Sequence, residues 1–250
     1  AVATLFRVED DLLRLLHDLL DGLDVHALTR HVGSLRVGGI DAGKTRRQAR
    51  RRELDAALVE VTRAAGATVV EGATLRNAEQ DAEGVAAEVD GLGPVRARWA
   101  IGADGMWSPL RKALGLADPT YRGEWHAFRQ YLVDVSPEAA RELVVWFEPD
   151  LLPGYAWSFP IGGGVANVGF GILRGTSYKV ADMGALWREL QARPHIRAFL
   201  GPDARAESPH RAWPIPARVD KVVLSAGRTL FVGDAAAATD PMTGEGIGHA

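Results

Sequence analysis

The sequence has no cysteine, and only four of its 29 basic residues are lysine. Without cysteine the chain can form no disulfide, no thiolate metal site and no cysteine nucleophile. It also lacks an apolar run near the ~20 residues that a transmembrane helix needs, and it opens with no signal-peptide pattern. Basic charge is not in excess, since 32 acidic residues leave a net charge of −3. We therefore expect a cytoplasmic protein that binds no nucleic acid.

The pattern of apolar residues divides the 250-residue chain into three stretches. Residues 1–118 alternate helix and strand patterns, with helices over 11–23 and from Arg51 to Gly66. Residues 119–215 are rich in β-strand patterns and hold one helix at about 182–192, whereas residues 216–250 return to the first texture. The strands predicted in the first stretch lie near residues 68–72, 74–79, 84–89 and 95–103. We predict an α/β (α+β) protein in which a mostly antiparallel β-domain, 119–215, interrupts an α/β domain made of 1–118 and 216–250.

A formal match to the phosphate-binding P-loop lies at Gly38–Thr45, with Lys44 as its lysine. The helix that should follow it begins with the arginine-rich segment 46–52 and has no apolar stripe before Leu54. We therefore favour a glycine turn with an exposed lysine, and a P-loop NTPase is a distant alternative. The arginines are interpreted as a solvated face or a site for a small phosphate. The seven histidines show no metal-ligand spacing, so we expect no metal site.

Two corners that combine an aspartate with glycine are more informative. In the first, an apolar strand ends at Asp104-Gly105, and Arg111 follows one turn into the next helix. In the second, a strand ends at Gly233-Asp234. Carboxylates at such corners bind sugar or ribityl hydroxyls, and a glycine-led helix start offers amides to a phosphate or an electron-rich ring.

These corners resemble those of flavoproteins with a glutathione-reductase-type FAD fold, and within them the geranylgeranyl reductase family. The resemblance covers about residues 48–250 and implies a Rossmann-like FAD/NAD(P)-binding domain. It implies FAD as cofactor and NAD(P)H or another reductant as electron donor. The cofactor-binding residues that it implies are Arg51, Asp104, Gly105, Arg111, Gly233, Asp234, Pro241, Gly244, Glu245, Gly246 and Ile247.

The segment Tyr155-Ala156-Trp157-Ser158-Phe159-Pro160 narrows the class, because it is similar to the Tyr-x-Trp-x-Phe-Pro substrate motif of geranylgeranyl reductases. The implied substrate residues are Tyr155, Trp157, Phe159, Pro160 and Phe170, whose rings would project into an apolar tunnel. The alternative interpretation is a core strand whose alternate aromatic residues pack on one face. No residue is assigned a catalytic role.

The resemblance implies that C=C bonds of a polyprenyl lipid or quinone side chain are reduced by hydride from reduced FAD. It implies an apolar small-molecule or lipid substrate and leaves peripheral membrane association open, while the oligomeric state is unknown. An FAD-dependent aromatic hydroxylase or halogenase is the alternative, although Tyr155 and Phe159 depart from the halogenase motif Trp-x-Trp-x-Ile-Pro. The Gly-x-Gly-x-x-Gly unit that opens this fold is absent, so we expect an internal piece of a longer protein. The cysteine that some archaeal members carry near the flavin is also missing.

Overall fold

The computed structural model describes residues 50–176, 178–242, 244 and 246. The predicted helix at 11–23 and the P-loop match at Gly38–Thr45 lie outside the described residues. So do Glu245, Ile247 and the side chain of Arg51.

The described helices and strands follow one another in the order that the sequence patterns suggest. The α-helices are α1 (Arg51–Ala64), α2 (Pro109–Ala113), α3 (Met183–Ala192) and α4 (Pro194–Leu200). The strands are β1 (Leu75–Gln80), β2 (Val85–Val89), β3 (Gly93–Ala97), β4 (Ala100–Gly102), β5 (Trp125–Val133), β6 (Val144–Trp146), β7 (Tyr155–Gly162), β8 (Val165–Leu173), β9 (Arg205–Ala206), β10 (Arg211–Ile215), β11 (Ser225–Ala226) and β12 (Thr229–Phe231).

Two details of the first stretch differ from the sequence-based expectation. Residues 68–72 form no strand, because no ladder in the described part of the chain includes them. The single strand predicted over 95–103 is two strands: β3 pairs with β2 in a three-stranded meander, whereas β4 pairs with β12 in another sheet. The apolar pattern indicates extended backbone over this range, but a strand is defined by its pairing partner, which the pattern does not specify.

The largest sheet is antiparallel and has the order β10-β5-β8-β7-β6, with β9 also paired to β5. Its strands β7 and β8 join through the tight turn at Gly162–Gly164, where all three glycines have positive φ. One face of this sheet packs on α3 and α4. The core between them consists of buried residues from both layers, among them Phe128, Leu132, Val168, Phe170, Ile172, Leu186, Trp187, Leu190, Ile196 and Leu200.

The smallest sheet has the order β11-β12-β4, and its β12 and β4 run parallel. A ring stack closes it on one side. Phe231 is 4% exposed and lies against Gly102, where a Cβ would come within 2.6 Å of the ring. The guanidinium of Arg111 also lies over that ring, 4.0 Å from its centroid. Gly102 is therefore required by close packing, and Arg111 by a cation–π contact.

The chain enters and leaves the large sheet at one crossing, made of residues 118–124 and 216–218. A single carboxylate joins the two connections, because Glu124 Oε2 accepts hydrogen bonds from the Tyr121 hydroxyl and from the Ala217 amide, the latter at 2.7 Å. The Arg218 guanidinium lies 3.3 Å from the Tyr121 ring centroid, and its Nη2 is 3.1 Å from Asp118. Burial, followed by the bond to Glu124, raises the pKa of Tyr121, so this phenol stays protonated.

Candidate functional site

The two aspartate-glycine corners lie at the same edge of one sheet. Phe231 is the register partner of Gly102, and β12 and β4 run parallel, so both strands end side by side. Asp104 follows the first strand and Asp234 follows the second. The structure thus brings together two motifs that are separated by more than half of the sequence.

Asp104 begins the local structure of the first corner. Its Oδ2 accepts a hydrogen bond of 2.9 Å from the backbone amide of Leu110 in α2, whereas its Oδ1 is buried without a partner among the described residues. Gly105 has a φ of +80°, and no described atom lies within 4 Å of where its Cβ would be. A buried acceptor that lacks a donor loses its hydration, so a ligand hydroxyl or amide at this corner would stabilise it.

Arg111 is placed differently from the prediction of a cofactor contact. It is 9% exposed, its Nε donates to the carbonyl of Ala235 at 2.5 Å, and its Nη2 donates to the carbonyl of Val223 at 2.6 Å. Burial lowers the pKa of Arg111, and the charge of Asp104 acts in the opposite direction. In this structure the side chain ties the first corner to the second, and a contact with the cofactor remains a prediction.

The second corner is a short 3-10 helix, Gly233–Ala236, that ends at Ala237 in the left-handed conformation, with φ of +51°. Thr239 is 4% exposed, and its hydroxyl makes a long hydrogen bond of 3.5 Å to Asp234 Oδ1. A Cβ on Gly246 would lie 3.2 Å from the Thr239 hydroxyl and 3.8 Å from Asp234 Oδ1. The predicted ribityl-binding aspartate therefore lies close to Gly246, one of the predicted flavin-facing glycines.

The same segment reaches the large sheet. Gly244 has a φ of +69°, and a Cβ built on it would lie 3.6 Å from the hydroxyl of Tyr155 in β7. This proximity joins the predicted cofactor residues to the predicted substrate residues. The exposed Pro241 lies in the turn just before Gly244.

Three aromatic residues of β7 form a ladder on the face of the large sheet opposite α3 and α4. Tyr155 and Trp157 have ring centroids 5.9 Å apart, and Trp157 and Phe159 stack at the same separation. All three side chains are partly exposed, so this surface, the aromatic face, is open among the described residues. Alternate aromatic residues on one face were predicted, but they do not pack into the core.

A lane of small residues runs beside the ladder. Gly171 is the register partner of Tyr155 and of Ala127, and Gly169 is the partner of Trp157. A Cβ on Gly169 would lie 2.4 Å from the indole Cζ2 and equally close to the Phe128 carbonyl, so only glycine allows the indole to lie on β8. The indole Nε1 is buried without a hydrogen-bond partner in the described structure.

The prediction that Phe170 projects beside these rings is wrong. Phe170 is the register partner of Ala156 and therefore points to the other face, where it is fully buried and stacks 5.9 Å from Trp187. Pro160 is the partner of Ala166 and also lies off the ladder face. Side chains alternate between the two faces along a strand, so the register of β8 against β7 decides on which face Phe170 lies.

Comparisons with known proteins agree with this geometry. A family profile described as "FAD binding domain" matches residues 40–250. The chain therefore belongs to this family of FAD-binding oxidoreductases.

Its relatives specify the branch. The chain is 33% identical over 163 residues to the digeranylgeranylglycerophospholipid reductase of Methanosarcina mazei. This alignment covers 61% of this chain and 36% of the relative. It is also 33% identical over 179 residues to the menaquinone reductase of Mycobacterium tuberculosis, covering 62% of this chain and 38% of the relative. The chain thus spans well under half the length of these curated relatives. The predicted resemblance to the geranylgeranyl reductase family is confirmed.

Solved structures share the fold. A geranylgeranyl bacteriochlorophyll reductase-like protein of Thermoplasma acidophilum aligns with a TM-score of 0.66 at 24% identity, over 80% of this chain and 50% of that one. The flavin-dependent halogenase CmlS aligns with a TM-score of 0.63, also at 24% identity, over 81% of this chain and 38% of that one. At this identity the likeness concerns the fold and does not choose between reductase and halogenase chemistry.

The described residues fit the family's cofactor, FAD. Asp104 offers a buried acceptor without a partner, and Gly105 leaves room for close approach of a ligand. Gly246 lies beside Thr239 and Asp234, and Gly244 lies beside the Tyr155 hydroxyl. Among residues 50–176, 178–242, 244 and 246, no helix has the length and apolar character that crossing a bilayer requires.

Sequence reasoning missed three features of this site. Thr239 carries no motif signal, and its role depends on its contact with Asp234. Gly102 is recognisable as important only once Phe231 is seen against it. The arginines of the aromatic face, Arg129 and Arg211, become neighbours only through strand pairing between distant segments.

Proposed function

We propose that the complete protein carrying this chain reduces C=C bonds of a polyprenyl lipid by adding a hydride from reduced FAD to one carbon and a proton to the adjacent carbon. The observation that carries the proposal is the proximity of Gly244, in the predicted flavin segment, to Tyr155, at one end of the aromatic ladder. The names of the curated relatives support a lipid with geranylgeranyl-type chains.

The residues of the chain would divide the work by region. Asp104 and Asp234 would accept hydrogen bonds from hydroxyls of the cofactor, and charged acceptors make such bonds strong. The backbone amides near Gly244 and Gly246 would stabilise negative charge on the reduced flavin, which supplies the hydride when bound. Tyr155, Trp157 and Phe159 would cover the apolar chain and exclude water from it.

The aromatic face suits an unsaturated hydrocarbon for a physical reason. A polyprenyl chain has no hydrogen-bond donors, so it binds by apolar area and by contact with ring faces. Ala127 and Gly171 carry little or no side chain and leave space above β5 and β8, while the Trp157 indole covers Gly169 and forms a wall beside that space. Together they make a trough whose Tyr155 end meets the flavin segment.

The test uses the complete protein, purified with its flavin and reduced by dithionite without oxygen. On addition of geranylgeraniol we expect reoxidation of the flavin and products heavier by two hydrogens per reduced bond, measured by absorbance and mass spectrometry. Trp157→Ala should slow this reoxidation at least about tenfold with flavin content unchanged, because the wall of the trough is lost. Reoxidation that requires oxygen and yields hydroxylated or halogenated products would replace the proposal with the monooxygenase-like alternative.

A further inference from the structure

The floor of the trough is open at one row of the large sheet. In this row Ala127 of β5 pairs with Gly171 of β8, and both residues are partly exposed. A Cβ built on Gly171 would meet only one described atom within 4 Å, the carbonyl oxygen of His126 at 3.9 Å. Gly169 differs, because the Trp157 indole covers it. The open space therefore lies above Ala127 and Gly171.

A large aromatic residue stands on each side of this open floor. Tyr155 of β7 pairs with Gly171, and Trp213 of β10 pairs with Ala127. Directly paired residues of neighbouring antiparallel strands point to the same face, so Trp213 belongs to the aromatic face as Tyr155 does. Neighbouring strands lie about 4.8 Å apart, so β7 and β10 are separated by about 14 Å across the floor. The trough therefore has a further wall, which Trp213 forms opposite Tyr155.

Trp213 has apolar surface to bury against a ligand. Its side chain is 54% exposed, and it makes no ring-stacking or cation–π contact with any other residue that the structure describes. It lies on β10, which is the last strand in the order of the sheet. A tryptophan presents a large contact area with only two side-chain torsions to fix, so it gains much from burial and loses little entropy.

The surroundings of the floor suit a hydrocarbon. The next row along the sheet is apolar and partly buried, and it consists of Ile215, Trp125 and Leu173. Two residues along a strand span about 7 Å, so this row closes the floor at that distance. On the opposite side the Trp157 indole closes it, and charge enters there only with Arg129 and Arg211. Such a recess binds by apolar area and by contact with ring faces.

We propose that Trp213 is a specificity-determining residue, which contacts the hydrocarbon chain of the substrate at the side of the trough remote from the flavin segment and so favours long polyprenyl chains over short ones. The Tyr155 side lies next to Gly244, so the reacting C=C bond would lie there. Only a chain that crosses both Gly171 and Ala127 would reach Trp213. The inference rests on the proposed function, because it concerns the same substrate.

The experiment compares geranylgeraniol with geraniol, two alcohols that differ only in chain length. Titration calorimetry with the complete, flavin-loaded protein in one detergent measures both affinities. We expect Trp213→Ala to weaken binding of geranylgeraniol by about tenfold or more, and binding of geraniol by less than about twofold, because the short chain does not reach β10. Trp213→Phe should restore most of the affinity, since its ring keeps the wall.

The matched control is Trp99→Ala, which removes another exposed tryptophan. Its side chain is 41% exposed, and it lies just before β4, outside the large sheet. This variant should change neither affinity. If Trp213→Ala does not fold, Trp213→Thr carries the test with the same expectation, because threonine suits an edge strand.

Reoxidation of the dithionite-reduced protein without oxygen gives a second measurement. In Trp213→Ala the geranylgeraniol concentration for half-maximal rate should rise about tenfold, with the limiting rate within about twofold of the wild type. This split is expected because a contact remote from the reacting bond is equally present in the ground state and in the transition state.

Unchanged affinity of Trp213→Ala for geranylgeraniol would overturn the inference, and so would an equal loss for both alcohols. Loss of bound flavin in this variant would assign the ring to the cofactor and would also overturn it. If neither alcohol reoxidises the wild-type flavin, the proposed function fails, whereas a loss of binding confined to the long chain would still support the role of Trp213. Wild-type half-saturation and rate in Trp213→Ala would refute that role and leave the proposed function intact.

Discussion

The large antiparallel sheet and the small parallel sheet are built in contrasting ways. In the first, each long strand pairs with others of the same stretch of chain, and α3 and α4 cover one face with a continuous core. In the second, two strands of three residues run parallel, and Ile101 and Leu230 are each 40% exposed. Parallel strands are normally buried on both faces. The antiparallel region therefore supplies its own stability, whereas the corner region derives its order from specific contacts such as the stack on Phe231.

The largest effect that this contrast predicts follows from Phe170→Ala. The ring is fully buried and packs against both Phe128 and Trp187, so the variant should lose about 3–5 kcal/mol of unfolding free energy. Chemical denaturation followed by tryptophan fluorescence measures it. Phe159→Ala, on the open face of the same sheet, is the matched control and should lose much less. Similar losses in both would show that the aromatic face is covered as completely as the core.

Gly169→Ala should lower both the stability of the large sheet and its binding of the lipid. The new methyl group would meet the Trp157 indole and the Phe128 carbonyl at 2.4 Å, so the indole must move or β5 must shift. We expect a destabilisation of about 1–3 kcal/mol together with weaker binding of the lipid. Gly163→Ala, in the β7–β8 turn at φ of +62° but with no atom nearby, controls for backbone strain alone. If its lipid binding falls as far as that of Gly169→Ala, the contact with the indole is not the cause.

Asp234→Ala tests the corner region, where we expect a loss of cofactor binding without a loss of stability. Removing this carboxylate should weaken FAD binding by about 1.5–3 kcal/mol while leaving the stability of the large sheet unchanged. Equilibrium dialysis with FAD and thermal unfolding of the flavin-free protein measure the two quantities separately. Asp203→Ala, at an exposed position, is the control. Unchanged flavin affinity in Asp234→Ala would contradict the assignment of this corner.

The smallest expected effect on stability concerns the ion network around Arg193, which joins α3 and α4 to the loop after β6. Arg193 bonds to Glu148, Asp150 and Glu189, and its hydrogen bond is the main cause that lowers the pKa of Asp150 to about 2. A pKa lowered by folding adds stability above the carboxyl group's ordinary value of 3.8, and this stability is lost as the pH falls toward 2. Arg193→Met should therefore lower the melting temperature at pH 6 slightly and flatten its decline between those values. An unchanged acid limb in calorimetric scans would show that the network does not contribute.

Much of this contrast was accessible from the sequence, because it depends on local pattern. The alternation of Tyr155, Trp157 and Phe159 predicted a strand with one aromatic face, and Gly66 predicted the end of α1. Both aspartate corners were recognisable since a carboxylate beside glycine at a strand end is a local signal. Whether these residues bind FAD or lipid is still a prediction.

What failed depends on pairing between distant segments. The face of Phe170 is set by the register of β8 against β7, which the turn at Gly162–Gly164 determines. The opposition of Arg129 and Arg211 requires β5 and β10 to be neighbours, and no local pattern specifies that choice. Residues 68–72 have the composition of a strand without a partner in the described structure.

The crossing at Glu124 has a consequence for how such proteins diversify. The chain enters and leaves the large sheet where one carboxylate, that of Glu124, accepts from both Tyr121 and Ala217, so the two connections are fixed together. A recombination event that exchanged residues 125–215 for a different antiparallel sheet would need to preserve this junction and a partner for Arg50, which now pairs with Glu207. The corner that we propose to bind FAD would then be inherited intact while the aromatic face that we propose to bind the substrate is replaced, so the protein could acquire a new substrate range by a single graft.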